Sequence, residues 1–417
     1  MSIDQGNGGA APGWSAWTAD DTPAGGSPDD LADAGPRSLA DYVTSVAADD
    51  DAAVLRYYAG LGRPLASGGA PPSTGGNDSG GIPQPSPDAP TVLVEDFGNA
   101  SPPQAGPPSV DGFSRPGGGG GHGGGGSGGG TLTPWNSPNM SGLKFHVNWD
   151  SSVANAPSWF QNSVETALSY FYKTFASPIT ITLDVGYGEV GGQRLGFGAL
   201  GESLSYLYPV SYGDLYSHMS AEASSQEQID AVNSLDSSTT SPITGANYYL
   251  ATADARALNF YVAPANLGSD GSDGAVGFAT NSSLVKWGPT SSSTTSGQYD
   301  FVSVVQHEVS EVMGRIALLG ASLSNGVTNT YSNMDLFRYD PNTGGRSLKG
   351  GEAANFSYDG TNPVQSFNTT AGGDYGDWAG TVSPTNDAYN AFSSTGPLQL
   401  GAADKTVMNV LGYTLAS

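Results

Sequence analysis

The run GGGGGHGGGGSGGG at residues 117–130 sets the first limit on how this chain folds. Glycine loses more backbone freedom on ordering than any other residue and offers a core no side chain. Such a run behaves as flexible coil, so no continuous core crosses it. The surrounding residues 65–142 are Gly- and Pro-rich and read as a flexible linker, with PPSTGG and PQPSP as stiffer pieces. The linker holds one strand-like island, VLVEDF at 92–97, and an isolated His122 that reads as a chance residue. Residues 1–64 form an acidic N-terminal region. Helical spacing of Leu39, Tyr42, Val43 and Val46, then of Val54, Leu55, Tyr58 and Leu61, predicts one or two short helices there. The rest of that Gly/Pro-rich region is expected to be largely disordered.

Apolar periodicity begins after the glycines. LKFHVNWD from Leu143 alternates like a strand. Phe160, Val164, Ala167, Leu168, Phe171 and Phe175 mark one stripe of an amphipathic helix. ITITLDVGYGEV reads as a strand, a helix is expected around 224–234, and LNFYVAP at 258–264 reads as another strand. GAVGFAT implies a short strand after an Asp/Gly loop. From Phe301 to Ile316, Val302, Val305, Val309, Val312 and Met313 recur at three- and four-residue intervals, the signature of a core helix. Loop signals dominate afterwards, up to a short helix in AADKTVMNVLGYTL. Strand, helix, strand is the opening expected of an α/β or α+β domain over 143–417.

Charge excludes some partners. With 39 acidic and 14 basic residues the net charge is −25, which repels nucleic acid and anionic membrane surfaces. No run approaches the 18 or so apolar residues of a membrane span, so no membrane insertion is expected. There is no cysteine, and the first residues lack the basic and apolar regions of a cleavable signal peptide. An acidic, Gly-rich, Cys-free chain of this kind is expected to be a secreted monomer exported without a cleavable N-terminal signal. Its dispersed Asp residues suit a structural Ca2+.

The predicted core helix carries VVQHEVSEVMGR. His307 and Glu311 are four apart and project from one face, where two ligands grip one cation without distorting the backbone. Glu308 is turned about 100° from His307, the position that supplies the general base in H-E-x-x-H enzymes. Gly314 follows as a potential left-handed helix stop. The competing interpretation is an ordinary i, i+4 hydrogen-bonded pair; the apolar character of the helix argues against it, since polar residues on a core helix need a reason.

The run resembles the metzincin arrangement H-E-x-x-H-x-x-G-x-x-H, with the second and third histidines replaced by Glu311 and Ala317. SDGAVGFA upstream and LGAADKTVMNVLGY downstream resemble the loop, edge strand and closing helix of matrixin-like peptidases. The chain is also similar to a group of bacterial metalloproteases with H-E-[IV]-x-E-x-[LM]-G-R followed by DLFRY, FSxDG and GDxGDW, here at 335–339, 356–360 and 373–378. The resemblance covers about Leu143 to Tyr413. It implies an α+β fold for 143–417, a zincin-like, metzincin-related catalytic domain with a mixed sheet, an active-site helix and a loop-rich C-terminal subdomain, a Zn2+ cofactor and a protein or peptide substrate, with Met334 in a methionine-containing turn under the metal.

A catalytic zinc needs about three protein ligands plus water, and Ala317 cannot serve. His146 and His218 read as structural. Asp335, in the first ordered-looking segment after the helix, is the preferred third ligand, much as an aspartate completes the site in aspzincin-like peptidases; Asp374 and Asp377 are the alternatives. Arg315 and Arg338 are expected to pair with these carboxylates. The function expected is a metallopeptidase with Glu308 as general base. The alternatives are a non-catalytic extracellular calcium-binding or adhesive module, and a glycoside hydrolase, for which no carboxylate pair is placed by the sequence.

Overall fold

The computed structural model describes residues 91–99, 132–138, 141–196, 198–236, 240–323 and 325–416, with backbone alone for 94–99. The helices expected before residue 65, the glycine run and His122 lie outside the described residues. The fold is α+β, with a mixed sheet and six α-helices among those residues.

The sheet is assembled from β1 (Thr91–Asn99), β2 (Trp135–Asn136), β3 (Lys144–Trp149), β4 (Thr180–Tyr187), β5 (Ala199–Val210), β6 (Asn247–Ala251), β7 (Gly274–Phe278), β8 (Thr330–Tyr331) and β9 (Phe392–Ser393). Alternation decides the faces. Phe145 and Val147 on β3 and Ile181, Leu183 and Val185 on β4 are all buried. β3, β4 and β7 run parallel, while β5 pairs antiparallel with β7. β5 is long enough to serve several partners. Gly201 to Ser205 pair with β7 and with β1 at once, so β7 and β1 lie on opposite edges of β5. Further along, residues 207–210 pair with β6.

The helices are α1 (Phe160–Thr174), α2 (Tyr212–Glu222), α3 (Gln226–Ser234), α4 (Thr252–Ala257), α5 (Phe301–Val312) and α6 (Ala402–Leu411). α1 buries the apolar stripe read from its sequence and packs on α5. α5 starts at Asp300, whose carboxylate accepts the Ser303 N–H as an N-cap, and every one of its residues is buried. It ends at Gly314 with φ +108°, where a Cβ would come within 2.7 Å of Asp254 Cβ. Both facts restrict that position to glycine. Among the described residues, no helix is long and apolar enough to cross a membrane.

Two readings change. LNFYVAP is not a strand: Asn259 turns with φ +63°, and Phe260 stacks on His218 at 3.7 Å between ring centroids. The alternating pattern there serves packing after α4. VLVEDF does form a strand, but it belongs to the main sheet as β1, so the stretch read as linker contributes to the domain.

Phe301 sits at the start of α5 among Trp159, Phe160, Phe278 and Trp287, with ring centroids 5.1, 5.2, 5.1 and 5.1 Å away. It ties the helix to α1 and to the sheet. Phe301→Ala is expected to destabilise the domain by about 3–5 kcal/mol, the usual cost of emptying such a site. Chemical denaturation of both proteins measures this, and a loss below about 1 kcal/mol would show that the cluster does not hold α5.

Candidate metal centre

α5 directs His307 and Glu311 toward one point, and the loop after the short β-strands of the C-terminal region brings in Asp377. The three residues form the one group of potential metal ligands found among the described residues, and all are buried. His307 Nε2 lies 3.0 Å from Glu311 Oε1 and 3.4 Å from Asp377 Oδ1. Ligands bound tetrahedrally at about 2.0–2.1 Å stand roughly 3.3 Å apart, so the spacing fits a zinc-sized ion.

The surroundings fix each donor. His307 Nδ1 donates to the Ala388 carbonyl at 2.8 Å, which leaves Nε2 directed at the two carboxylates. Ser203 Oγ on β5 donates to Glu311 Oε2 at 2.8 Å. Asp377 is held through its neighbour. The Trp378 N–H donates to the Tyr389 carbonyl at 2.8 Å, and its indole Nε1 donates to Asp404 on α6 at 2.7 Å. Arg315 donates to Asp377 Oδ1, to Glu311 Oε1 at 3.3 Å and from Nε to Ser310 at 2.8 Å, and its guanidinium lies over the Tyr389 ring. It therefore neutralises part of the ligand charge, as its expected pairing with carboxylates implied.

Asp335 is not brought to this group. Its Oδ2 accepts the N–H groups of Leu318, Leu319 and Ser332 at 3.0, 3.1 and 2.9 Å, closing the turn after α5. It lies in the 3-10 turn Met334–Phe337 and is committed to the backbone. Arg338 donates to the Tyr375 carbonyl rather than to a ligand. His146 bonds Asn136, and His218 bonds the Leu258 carbonyl, so both act structurally.

Glu308 is 0 % exposed, and neither of its oxygens has a hydrogen-bond donor. Burial, then the neighbouring carboxylate of Glu311 and the charges of Asp374 and Asp377, raise its pKa well above the ordinary carboxylate value. Room for it comes from Gly201 on β5, where a Cβ would stand 2.5 Å from Glu308 Oε1. A glycine inside a strand marks a close approach of this kind, so Gly201 was findable in the sequence. The Ala388 carbonyl had no such signal, because a backbone acceptor carries no residue signature.

Burial alone would lower the His307 pKa, but Asp377 and Glu311, opposed by Arg315, push it up to about 9. Burial would raise the pKa of Asp377; His307 and Arg315 reverse this and hold it below the usual carboxylate range. Comparison with protein-family models, curated proteins and solved structures finds no match.

The ligand set gives a direct test. Asp377→Ala is expected to weaken zinc binding by more than about 100-fold, beyond what outer-sphere partners usually contribute. Asp335→Ala is expected to keep zinc affinity and to lose about 3 kcal/mol or more of stability, because three buried N–H groups lose their acceptor. Zinc titration and denaturation of both variants measure this; loss of zinc from Asp335→Ala instead would reinstate it as the ligand.

Proton competition sets the pH dependence. With a metal-free pKa of about 9, Nε2 carries a proton below that pH, facing Asp377, Glu311 and Arg315 with Glu308 beside it on α5. A metal must displace it. Apparent zinc affinity is expected to rise about tenfold per pH unit from pH 6.5 to 8.5 and to level off above about 9. The stability that the imidazolium lends the metal-free protein runs the other way, full below its unfolded pKa of about 6.5 and lost as pH rises through 9. Chelator competition at several pH values reads the first effect, and a flat profile would refute it.

Proposed function

We propose that this chain carries a zinc-dependent endopeptidase of zincin-like build, acting on a protein or peptide substrate. One observation carries the reading. A His–Glu–Asp donor set at ligand spacing stands beside Glu308, a buried carboxylate with no donor of its own. A carboxylate kept in that state is costly unless it has work to do, and a buried acidic group with a raised pKa beside a candidate metal set is a common mark of a functional site. The imidazole donor favours zinc over calcium, which takes oxygen ligands.

When bound, the metal supplies polarisation of the substrate carbonyl and acidification of a water. Glu308 accepts the proton of the attacking water and returns it to the leaving amine. Burial, then Glu311, Asp374 and Asp377, raises the proton affinity of Glu308. The Ala388 carbonyl holds His307 in the ligating tautomer, and Ser203 orients Glu311. The zincin-like reading draws support from the strand–helix order β7–α5 and from the closing helix α6. It also draws on Met334: a Cβ built on Gly376, next to Asp377, would meet its methyl at 3.1 Å.

Arg315 favours a second reading. An imidazolium His307 and Arg315 balance Glu311 and Asp377 in charge, so the same residues form a self-sufficient ion-pair network without metal. Metal analysis separates the two. The peptidase reading expects stoichiometric zinc in the wild type and none in His307→Ala. Glu308→Gln is expected to keep zinc and fold while casein hydrolysis falls by about 100-fold or more. Wild-type turnover in Glu308→Gln would remove Glu308 from the mechanism, and zinc-free active-site residues in the purified wild type would favour the ion-pair network.

A further inference from the structure

His307 and Glu308 are closed off from solvent, and Glu311 and Asp377 are each 1 % exposed. A hydrolase must admit its substrate to such a centre, so some neighbouring element has to give way. β5 is the strand next to the centre. Gly201 lies against the Glu308 carboxylate, and Ser203 holds Glu311. On its outer edge β5 has one partner among the described residues, β1, paired antiparallel from Thr91 opposite Leu207 to Phe97 opposite Gly201. The backbone of β1 therefore passes the two strand positions that touch the catalytic carboxylate and a metal ligand. α5 packs against β1 as well.

The far end of β1 reaches the other side of the centre. Gly98 and Asn99 pair in parallel with Phe392 and Ser393 of β9. β9 closely follows Ala388 and Tyr389, which contact His307 and Arg315. β1 thus spans from the β5 side to the segment that locks the histidine. An extended peptide added to the same edge of β5 would make the same main-chain bonds and present its carbonyls to the same centre.

We propose that β1 of this chain is a resident strand on the outer edge of β5, in the position an added extended peptide would take, and that β1 leaves before substrate enters. This rests on the peptidase reading for its functional consequence, but not for the occupancy of the edge. The attachment is local. Leu93 is 2 % exposed in a small cluster with Leu207, Tyr249, Ala251, Ile316, Leu318 and Leu323, separate from the main core. Val92, on the other face, is 4 % exposed in a second small cluster with Val190, Leu204, Tyr206 and Ala275. A peripheral strand held by ladder bonds and two satellite clusters outside the main core is released at lower cost than a strand inside the sheet.

The test uses the full chain as wild type, as Leu93→Asp, which unseats the buried anchor, and as Glu95→Pro, which breaks strand pairing without touching that cluster. Hydrogen exchange on residues 199–207 reads the edge, zinc content reads the centre, and casein hydrolysis reads access. Both variants are expected to keep zinc, to lose protection at the outer-edge amides of β5, and to hydrolyse casein about tenfold or more faster than wild type, in proportion to the open fraction. A synthetic peptide TVLVEDFGN is expected to restore protection and inhibit the variants. Open edges with casein hydrolysis no faster than in an active wild type would overturn the proposal, as would failure of the peptide to protect β5 in either variant. Peptide protection without hydrolysis by any form would retain the docking edge and overturn the peptidase reading instead, which keeps the two failures apart.

Discussion

Taking a charged group out of water costs several kcal/mol unless partners compensate. α5 takes His307, Glu308 and Glu311 into the interior together, on a helix with no exposed residue. The main compensating group is Arg315, four residues beyond Glu311, whose guanidinium reaches Glu311, Asp377 and Ser310 and lies on Tyr389. Removing that cation would leave two buried carboxylates facing each other across the histidine. The sharp turn at Gly314 is what allows Arg315 to fold back onto its own helix.

The loop-rich C-terminal region is organised around this charge. It contributes Asp377 as a carboxylate, the Ala388 carbonyl as an acceptor and Tyr389 as a ring face. Its regular structure is slight, yet Trp378 is fully buried and bonded to α6 through Asp404. Side-chain and backbone hydrogen bonds do here what a sheet ladder does elsewhere. Asp335 belongs to the same scheme, since three backbone N–H groups converge on one of its oxygens to close the turn that returns the chain beneath α5.

Glu308 is the exception to that compensation, and the exception has a spatial cause. Gly201 on β5 leaves a recess that admits its carboxylate but supplies no donor. The same stretch of β5 carries β1 on its outer edge. The contacts to Glu308, the support of the candidate ligand Glu311 and the strand edge thus meet on β5. A single strand therefore couples access to the centre with the chemistry proposed for it.

Local pattern determined much of this protein. Apolar spacing in 301–316 and 160–175 and alternation in 143–150 and 180–187 specify α5, α1, β3 and β4, because neighbours within a turn or a pleat decide which face is buried. The pairing of His307 with Glu311 and the stop at Gly314 were legible for the same reason. The long strand β5 and helix α2 carried mixed patterns and were not read, and 258–264 alternated for packing rather than pairing. The choice among Asp335, Asp374 and Asp377 depended on how a loop some sixty residues beyond the helix folds back, as the Arg315–Asp377 contact at separation 62 shows. Tertiary structure alone brought Asp377, rather than Asp335, beside His307 and Glu311, and seated β1 on β5. Both are contacts between segments far apart in the chain, and no periodicity within either segment encodes which distant partner its carboxylate or its backbone edge will meet.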